Sequence, residues 1–403
     1  MLADMQRMRL LAAHFQENGW DVEILAPDAS FQPDYSIEPE PERFFPDVPV
    51  HSVGPWMPGL FRAIRAGTIG WRAMVPLARK GNELLATGRF DLVYFSTTVH
   101  LLTCLGPRWR RKYGVPYVAD VHDPIHKTGS RYVTSQRPAK AWIADRLSRS
   151  IERRSLGCAD GLVSVSSGYV EDLSFRYPEA RWRRDERILI QPFPADMSGL
   201  EAATPDRPAM QKKRIVYVGA GGEIMERGWR ALLEAWQEVA SENFSVEIHG
   251  TAGPWRPGQT GHLQALAQAS GIRNVDERPA RIPYARSLKL VKGADGLLVL
   301  GVDDPHYRPS KLHTYLATGL PILVIAHERS GLVKWLESAG PGIHIIRFGE
   351  LSSDAQSNKR EAKAFISAVC AARHWKIEDR KILLPADAAA EHAKMFGRIA
   401  AKI

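Results

Sequence analysis

Apolar residues in this chain fall into short runs separated by longer stretches in which apolar positions recur at helical spacing. The runs 22–26, 91–96 (DLVYFS), 116–121 (PYVADV) and 161–166 (GLVSVS) predict buried strands, and 3–18, 100–112 and 136–156 predict helices between them. A second alternation follows. It predicts strands at 214–218, 245–249, 296–301 and 321–325 and helices at 228–240, 260–270 and 310–318. The end, 359–403, reads as helical and is split near Pro385. Strands alternating with helices indicate parallel sheets covered on both faces. Residues 191–213 lack periodicity, hold four prolines and read as a linker. The expected fold class is α/β, with two Rossmann-like doubly wound domains facing a cleft. The first covers 1–190 and the second 214–384, and the terminal helix 385–403 is expected to pack back toward the first.

Composition narrows the classes. Three scattered cysteines make neither a disulfide framework nor a metal cluster, and a reducing compartment, the cytoplasm, is expected. No apolar run approaches the ~18 residues of a membrane span. Net charge is +9, and residues 51–150 hold 16 Lys/Arg against 5 Asp/Glu. That field attracts phosphorylated substrates, anionic lipid or nucleic acid. No nucleic-acid-binding motif accompanies it, so a nucleic-acid partner is not expected.

Two segments carry candidate chemistry in the second half. In 294–326 an apolar strand runs through a polar loop into a helix opened by Pro309 and Ser310 and ended by Gly319 and Pro321. Lys311 in the first turn of that helix opposes its macrodipole unless an anion sits there. A solvated lysine is the alternative. Strand 214–218 runs into Gly219-Ala220-Gly221-Gly222, a loop suited to an anion or simply a tight turn, with Arg227 beyond it. Ile224 stands where a dinucleotide fingerprint needs glycine, and no P-loop lysine follows. In the first half, VPYVADVHDPIH puts His122 and Asp123 at a strand's carboxyl end, where a histidine either meets substrate or satisfies a backbone carbonyl.

The run PSKLHTYLATGLPIL resembles the donor-site helix of GT-B glycosyltransferases similar to glycosyltransferase family 4, and the order of the other segments extends the resemblance over most of the chain. The resemblance implies transfer of a sugar from a nucleotide-diphosphate donor to a glycan, lipid-linked or small-molecule acceptor. It also implies retention at the anomeric carbon, with no cofactor and no metal. It places Gly219, Gly221, Gly222, Arg227, Arg308, Ser310, Lys311 and Leu312 at the donor, and His122 with its neighbour Asp123 near the donor sugar and acceptor. Many members carry Arg directly after the first glycine, where this chain has Ala220, and two glutamates where it has His306 and Thr314. Those departures leave a second reading, a non-catalytic GT-B-like nucleotide or glycan binder.

Two expectations concern the first half alone. Residues 56–80 interleave aromatic and basic side chains, as in a helix lying on an anionic membrane surface or one packed into the fold. The first reading would make the protein peripheral on the inner face of the cell membrane. The chain also opens on a helix rather than the central first strand of a doubly wound domain, so the N-terminal domain is expected to lack that strand.

Overall fold

The computed structural model describes residues 3–28, 48–56, 69–125, 138–207, 212–237, 239, 243–251, 261–350 and 355–401. The chain divides into two compact units, Met1–Pro192 with Pro385–Ile403, and Phe193–Leu384.

The first unit opens with α1 (Ala3–Gln16), β1 (Ile24–Pro27), β2 (Val50–Val53), α2 (Ile69–Leu85) and β3 (Val93–Ser96). It continues through α3 (Leu105–Tyr113), β4 (Tyr117–Val121), α4 (Pro138–Ser155), β5 (Gly161–Ser164), α5 (Ser167–Arg176), α6 (Arg181–Arg184) and β6 (Ile188–Ile190). All pairings are parallel. The ladders form two sets, β1–β2 and β3–β4–β5–β6. In a doubly wound sheet of order 3-2-1-4-5-6, β2 and β1 take the third and second places and β3 the fourth. Among the described residues no ladder joins β1 to β3. β4 is buried at every residue, and Tyr117 anchors it, its hydroxyl donating to the Ser155 carbonyl at 2.6 Å. Gly106 is required beside it, since a Cβ there would lie 2.5 Å from the Tyr117 ring.

The second unit runs α7 (Met197–Ala202), β7 (Lys213–Val218), α8 (Glu226–Trp236), β8 (Phe244–His249), α9 (His262–Ala269), β9 (Val275–Arg278) and α10 (Tyr284–Lys292). It ends β10 (Gly296–Leu300), α11 (Leu312–Leu316), β11 (Ile322–His327), α12 (Gly331–Leu336), β12 (Ile343–Phe348) and α13 (Ala355–Cys370). Its six parallel strands lie in the order β12-β11-β10-β7-β8-β9, so the strand order reverses between β7 and β10. Trp229, Trp236, Phe244, Leu298 and Phe365 are fully buried against this sheet. The last helix, α14 (Pro385–Ala400), belongs to the first unit: Phe396 lies 5.7 Å from the Phe15 ring and 5.3 Å from the Tyr94 ring.

Several expectations change here. Residues 193–207, expected within a linker, are part of the second unit. Buried Asp196 caps α7, accepting from the Gly199 amide at 3.0 Å and the Tyr284 hydroxyl at 2.7 Å. The helix expected over 310–318 is the five-residue α11, with Lys311 at its N-cap. Of the stretch 56–80, residues 57–68 lie outside the described residues. Of the described remainder, Trp56 is exposed and residues 69–80 enter α2, which buries Ala73 and Leu77 in the first unit's core.

Candidate functional site

β7 is apolar because it is central and covered on both faces, and it ends at Val218 beside the reversal of strand order. In open α/β sheets ligands bind outside the carboxyl ends of the strands at that point. The chain turns there through Gly219 (φ +152°) and Gly222 (φ +98°). The Gly219 and Gly221 amides donate to the carbonyls of His249 and Thr251 at 2.9 and 3.0 Å, which continues the β7–β8 ladder into the loop. Among the described residues the Ala220 and Gly222 amides have no backbone partner, and Ala220 is exposed.

The Lys311 ammonium reaches across to this turn. It donates to the Val218 carbonyl and lies 4.8 Å from the centroid of the Tyr217 ring. A Cβ at position 219 would fall 1.6 Å from Nζ, so the glycine makes room for the lysine. No carboxylate pairs with Lys311 among the described residues. Burial, with Arg281 adding like-charge repulsion, pulls its pKa down to about 7. A half-buried cation in that state gains stability from any anion placed beside it. In the sequence Lys311 stands out as a cation opposing a helix macrodipole. A five-residue helix has little of one, and the glycine turn is what holds the amine.

The other expected donor residues divide. The Arg227 guanidinium is already compensated, donating to both Asp303 oxygens at 3.0 Å and to the Gly349 carbonyl at 2.8 Å. His327 adds a second group beside Asp303, with Nε2 at 3.7 Å. Arg308 is half-buried with its pKa lowered by burial, and a Cβ on Gly331 would lie 3.4 Å from its Nη2. Ser310 and His306 are half-buried, and the His306 amide donates to Asp304 at 2.8 Å. Leu312 is a core side chain. Thr314 is buried and its hydroxyl accepts from the Asp196 amide at 3.1 Å, a contact that seats α7 rather than facing a ligand.

Arg281 was not foreseen. It is exposed on the loop after β9, and its charge acts on both Lys311 and Tyr217. The Gly250 amide donates to the Arg278 carbonyl at 2.9 Å, and a Cβ on Gly250 would stand 4.0 Å from the Gly219 carbonyl, so the three strand-end loops lie side by side. The signal in the sequence was an arginine just past a strand end, hidden because β9 itself, VDER, did not read as a strand.

In the first unit, His122 is buried rather than open. Asp120 Oδ2 gathers Arg7 Nε at 2.7 Å, His122 Nε2 at 2.7 Å and the Tyr94 hydroxyl at 2.6 Å. Arg7 also donates to the Gln191 carbonyl at 2.8 Å, and the Tyr94 hydroxyl lies 3.4 Å from His392 Nε2. Burial alone would raise the Asp120 pKa, but Arg7 and His122 outweigh it and hold the carboxyl well below its usual range. Its other oxygen is buried without a hydrogen-bond partner among the described residues. Asp123, next to His122, is exposed. Asp120 escaped notice because it sits inside an apolar strand, although a carboxylate in that position always demands partners.

Residues 6–184 match the family model of a glycosyl transferase 4-like domain. Among solved structures, sucrose-phosphate synthase from Thermosynechococcus elongatus is 14% identical, over 97% of this chain and 92% of that one, with a TM-score of 0.54. WaaG, a glycosyltransferase involved in lipopolysaccharide biosynthesis, is 15% identical, over 99% of this chain and 94% of that one, with a TM-score of 0.52. At those identities the likeness is one of fold. No protein of curated function matches the chain by sequence. The family match lies within the first unit, and along nearly its whole length the chain shares its fold with these glycosyltransferases.

Proposed function

We propose that the enzyme transfers a sugar from a nucleotide-diphosphate donor to a glycan, lipid-linked or small-molecule acceptor, with retention and without a metal ion. The observation that carries this reading is the uncompensated Lys311 ammonium, fixed at a glycine turn where the strand order reverses. The diphosphate sits against that turn. As the bond from the anomeric carbon to the diphosphate breaks and the acceptor hydroxyl oxygen takes its place, passing its proton to the departing diphosphate, negative charge grows on the leaving group. Lys311, Arg281 and the free amides of Ala220 and Gly222 hold that charge more tightly in the transition state than in the bound donor. These cations are the charge a metal would otherwise supply. Arg227, tied to Asp303, holds the α8 end of the loop in position.

His122 and Asp123 stand on the loop after β4 for the transfer itself, with Asp120 and Arg7 fixing the orientation of the imidazole. Thr314 is committed to Asp196, so the nucleotide's ribose is held by other groups. A lipid-linked acceptor would bring the protein to the inner face of the cell membrane. Residues 56–80 remain the segment proposed from sequence to meet that surface.

A panel of nucleotide sugars screened by thermal shift tests the reading, since a ligand at 100 times its Kd stabilises by about 2.7 kcal/mol. Nucleoside diphosphates should stabilise the wild type and not Lys311→Ala. Equal stabilisation of both, or of neither, would refute the donor assignment.

A further inference from the structure

The glycine turn is held from within the second unit by two buried tyrosines. The ladder between β7 and β10 pairs Ile215 and Val216 and goes no further. Beyond it the backbone of Val218 turns to α11. Its amide donates to the Tyr315 hydroxyl at 3.3 Å, and its carbonyl accepts from Lys311. The Tyr315 amide donates to the Lys311 carbonyl at 2.9 Å, one helical turn, so the two side chains leave the same face. Tyr217, also buried, meets the turn twice. Lys311 Nζ lies over its ring, 4.8 Å from the centroid, and its hydroxyl donates to the Ala220 carbonyl at 2.5 Å. A Cβ at position 219 would stand 3.2 Å from that hydroxyl, so the turn wraps closely over the phenol.

The hydroxyl contact decides where the free amides point. A single planar peptide unit joins Ala220 to Gly221. Its carbonyl is taken by Tyr217 and its N–H donates to the Thr251 carbonyl at 3.0 Å, so the plane is fixed at both ends. The Ala220 and Gly222 amides, which have no backbone partner among the described residues, flank that plane and inherit its orientation. Three glycines in four residues would otherwise leave it free to rotate. The ring contact acts separately. An ammonium shielded from water and without a carboxylate gains from an aromatic face, and the gain grows with desolvation. Arg281 is the charged group that acts on Lys311, and the Tyr307 and Tyr315 phenols stand near that of Tyr217. Burial pushes the Tyr217 and Tyr315 phenols up, so both stay protonated near neutral pH.

We infer that Tyr217 is a positioning residue of the donor site, whose ring steadies the Lys311 ammonium over the turn and whose hydroxyl sets the direction of the Ala220 and Gly222 amides. The inference rests on the donor reading above and deepens it. The growing charge on the diphosphate meets donors already aimed, and nothing has to reorganise as the bond breaks. Tyr217 acts through Lys311 and the turn.

Tyr217→Phe removes the hydroxyl and keeps the ring, and Tyr217→Leu removes both. The probe is inorganic pyrophosphate, the portion common to every nucleoside diphosphate, titrated into the full chain by calorimetry. Binding should weaken at least about tenfold in Tyr217→Phe. The Lys311 midpoint is read without ligand, from the pH dependence of the stability difference between each protein and its Lys311→Met counterpart. It should stay near the wild-type value of about 7 in Tyr217→Phe. In Tyr217→Leu it should fall by about 0.5–1.5 units, because loss of the aromatic face disfavours the charged amine. Should Tyr217→Leu not fold, Tyr217→Met carries the same comparison. A packing defect alone would lower the stability of Tyr217→Phe and leave pyrophosphate binding at the wild-type level, and that result overturns the part given to the hydroxyl. An unmoved or raised midpoint in Tyr217→Leu overturns the part given to the ring. Failure of the wild type to bind pyrophosphate would refute the donor assignment and the hydroxyl's part with it, while the midpoints would still decide the ring's.

Discussion

Replacing Lys311 by Met asks whether the buried amine is held at a cost to the fold. The side chain keeps its length but loses its charge. In the wild type, burial and Arg281 lower the lysine pKa from 10.5 to about 7. A lysine depressed on folding binds fewer protons in the folded than in the unfolded chain between those values. Stability therefore rises with pH across that window and is flat below it, where both states are protonated. From about pH 6 to about pH 9 the wild type should gain roughly 2.7 kcal/mol that the variant does not, an upper bound because solvent relaxation softens the field around a half-buried group. Urea melts of both proteins at each pH read the difference directly. An anion at the glycine turn returns the proton, so at about pH 8, where a terminal phosphate is already ionised, nucleoside-diphosphate binding should take up nearly one proton. Calorimetry in buffers of differing ionisation enthalpy measures that uptake, which should vanish with Lys311→Met. A pH-independent stability difference together with binding that takes up no proton would refute the reasoning.

Gly219→Ala places a methyl where Nζ now sits and should weaken nucleoside-diphosphate binding at least about tenfold, by calorimetry, with a fold cost of about 1–3 kcal/mol. Arg281→Gln should also weaken that binding, and should move the pH midpoint of binding upward because it removes the repulsion acting on Lys311. Asp120→Asn leaves Arg7 as a buried charge without its partner and should destabilise the protein by about 3–5 kcal/mol in urea. Because the Asp120 carboxyl is held below its ordinary value, its contribution is present above the usual carboxylate range and lost as pH falls through the folded value. The variant should lose that acid dependence.

The sequence revealed what periodicity can carry. β7 from Ile215 onward, β10 and β11 up to Ala326 are apolar because a central parallel strand is covered on both faces, and their places followed from that alone. β9 did not show itself. Its residues VDER alternate buried and exposed, but the buried Glu277 looks like a surface residue until the Thr251 hydroxyl and the Gln264 amide are seen to satisfy it. Losing β9 meant losing Arg281. The glycine turn and Lys311 were legible as separate oddities, and only the fold showed that one exists to accommodate the other. Thr314 illustrates the opposite limit. Its partner Asp196 lies 118 residues earlier, a distance over which no local pattern reports.

The return of α14 to the first unit has a consequence for biogenesis. Residues 193–384 form a continuous stretch, so the second unit has all its residues as soon as that stretch has left the ribosome. The first unit does not. The aromatic cluster of Phe15, Tyr94 and Phe396, and the His392 that meets the Tyr94 hydroxyl, are assembled from segments that lie on either side of the second unit in the chain. Helix α1 must therefore wait, uncovered by α14, until the second unit and residues 385–400 have been synthesised. At about 5–20 residues per second that interval lasts roughly 20–80 seconds, long enough for chaperones to engage the waiting half. A nascent chain stalled before Pro385 should expose α1 and β3 to protease while its second unit already resists.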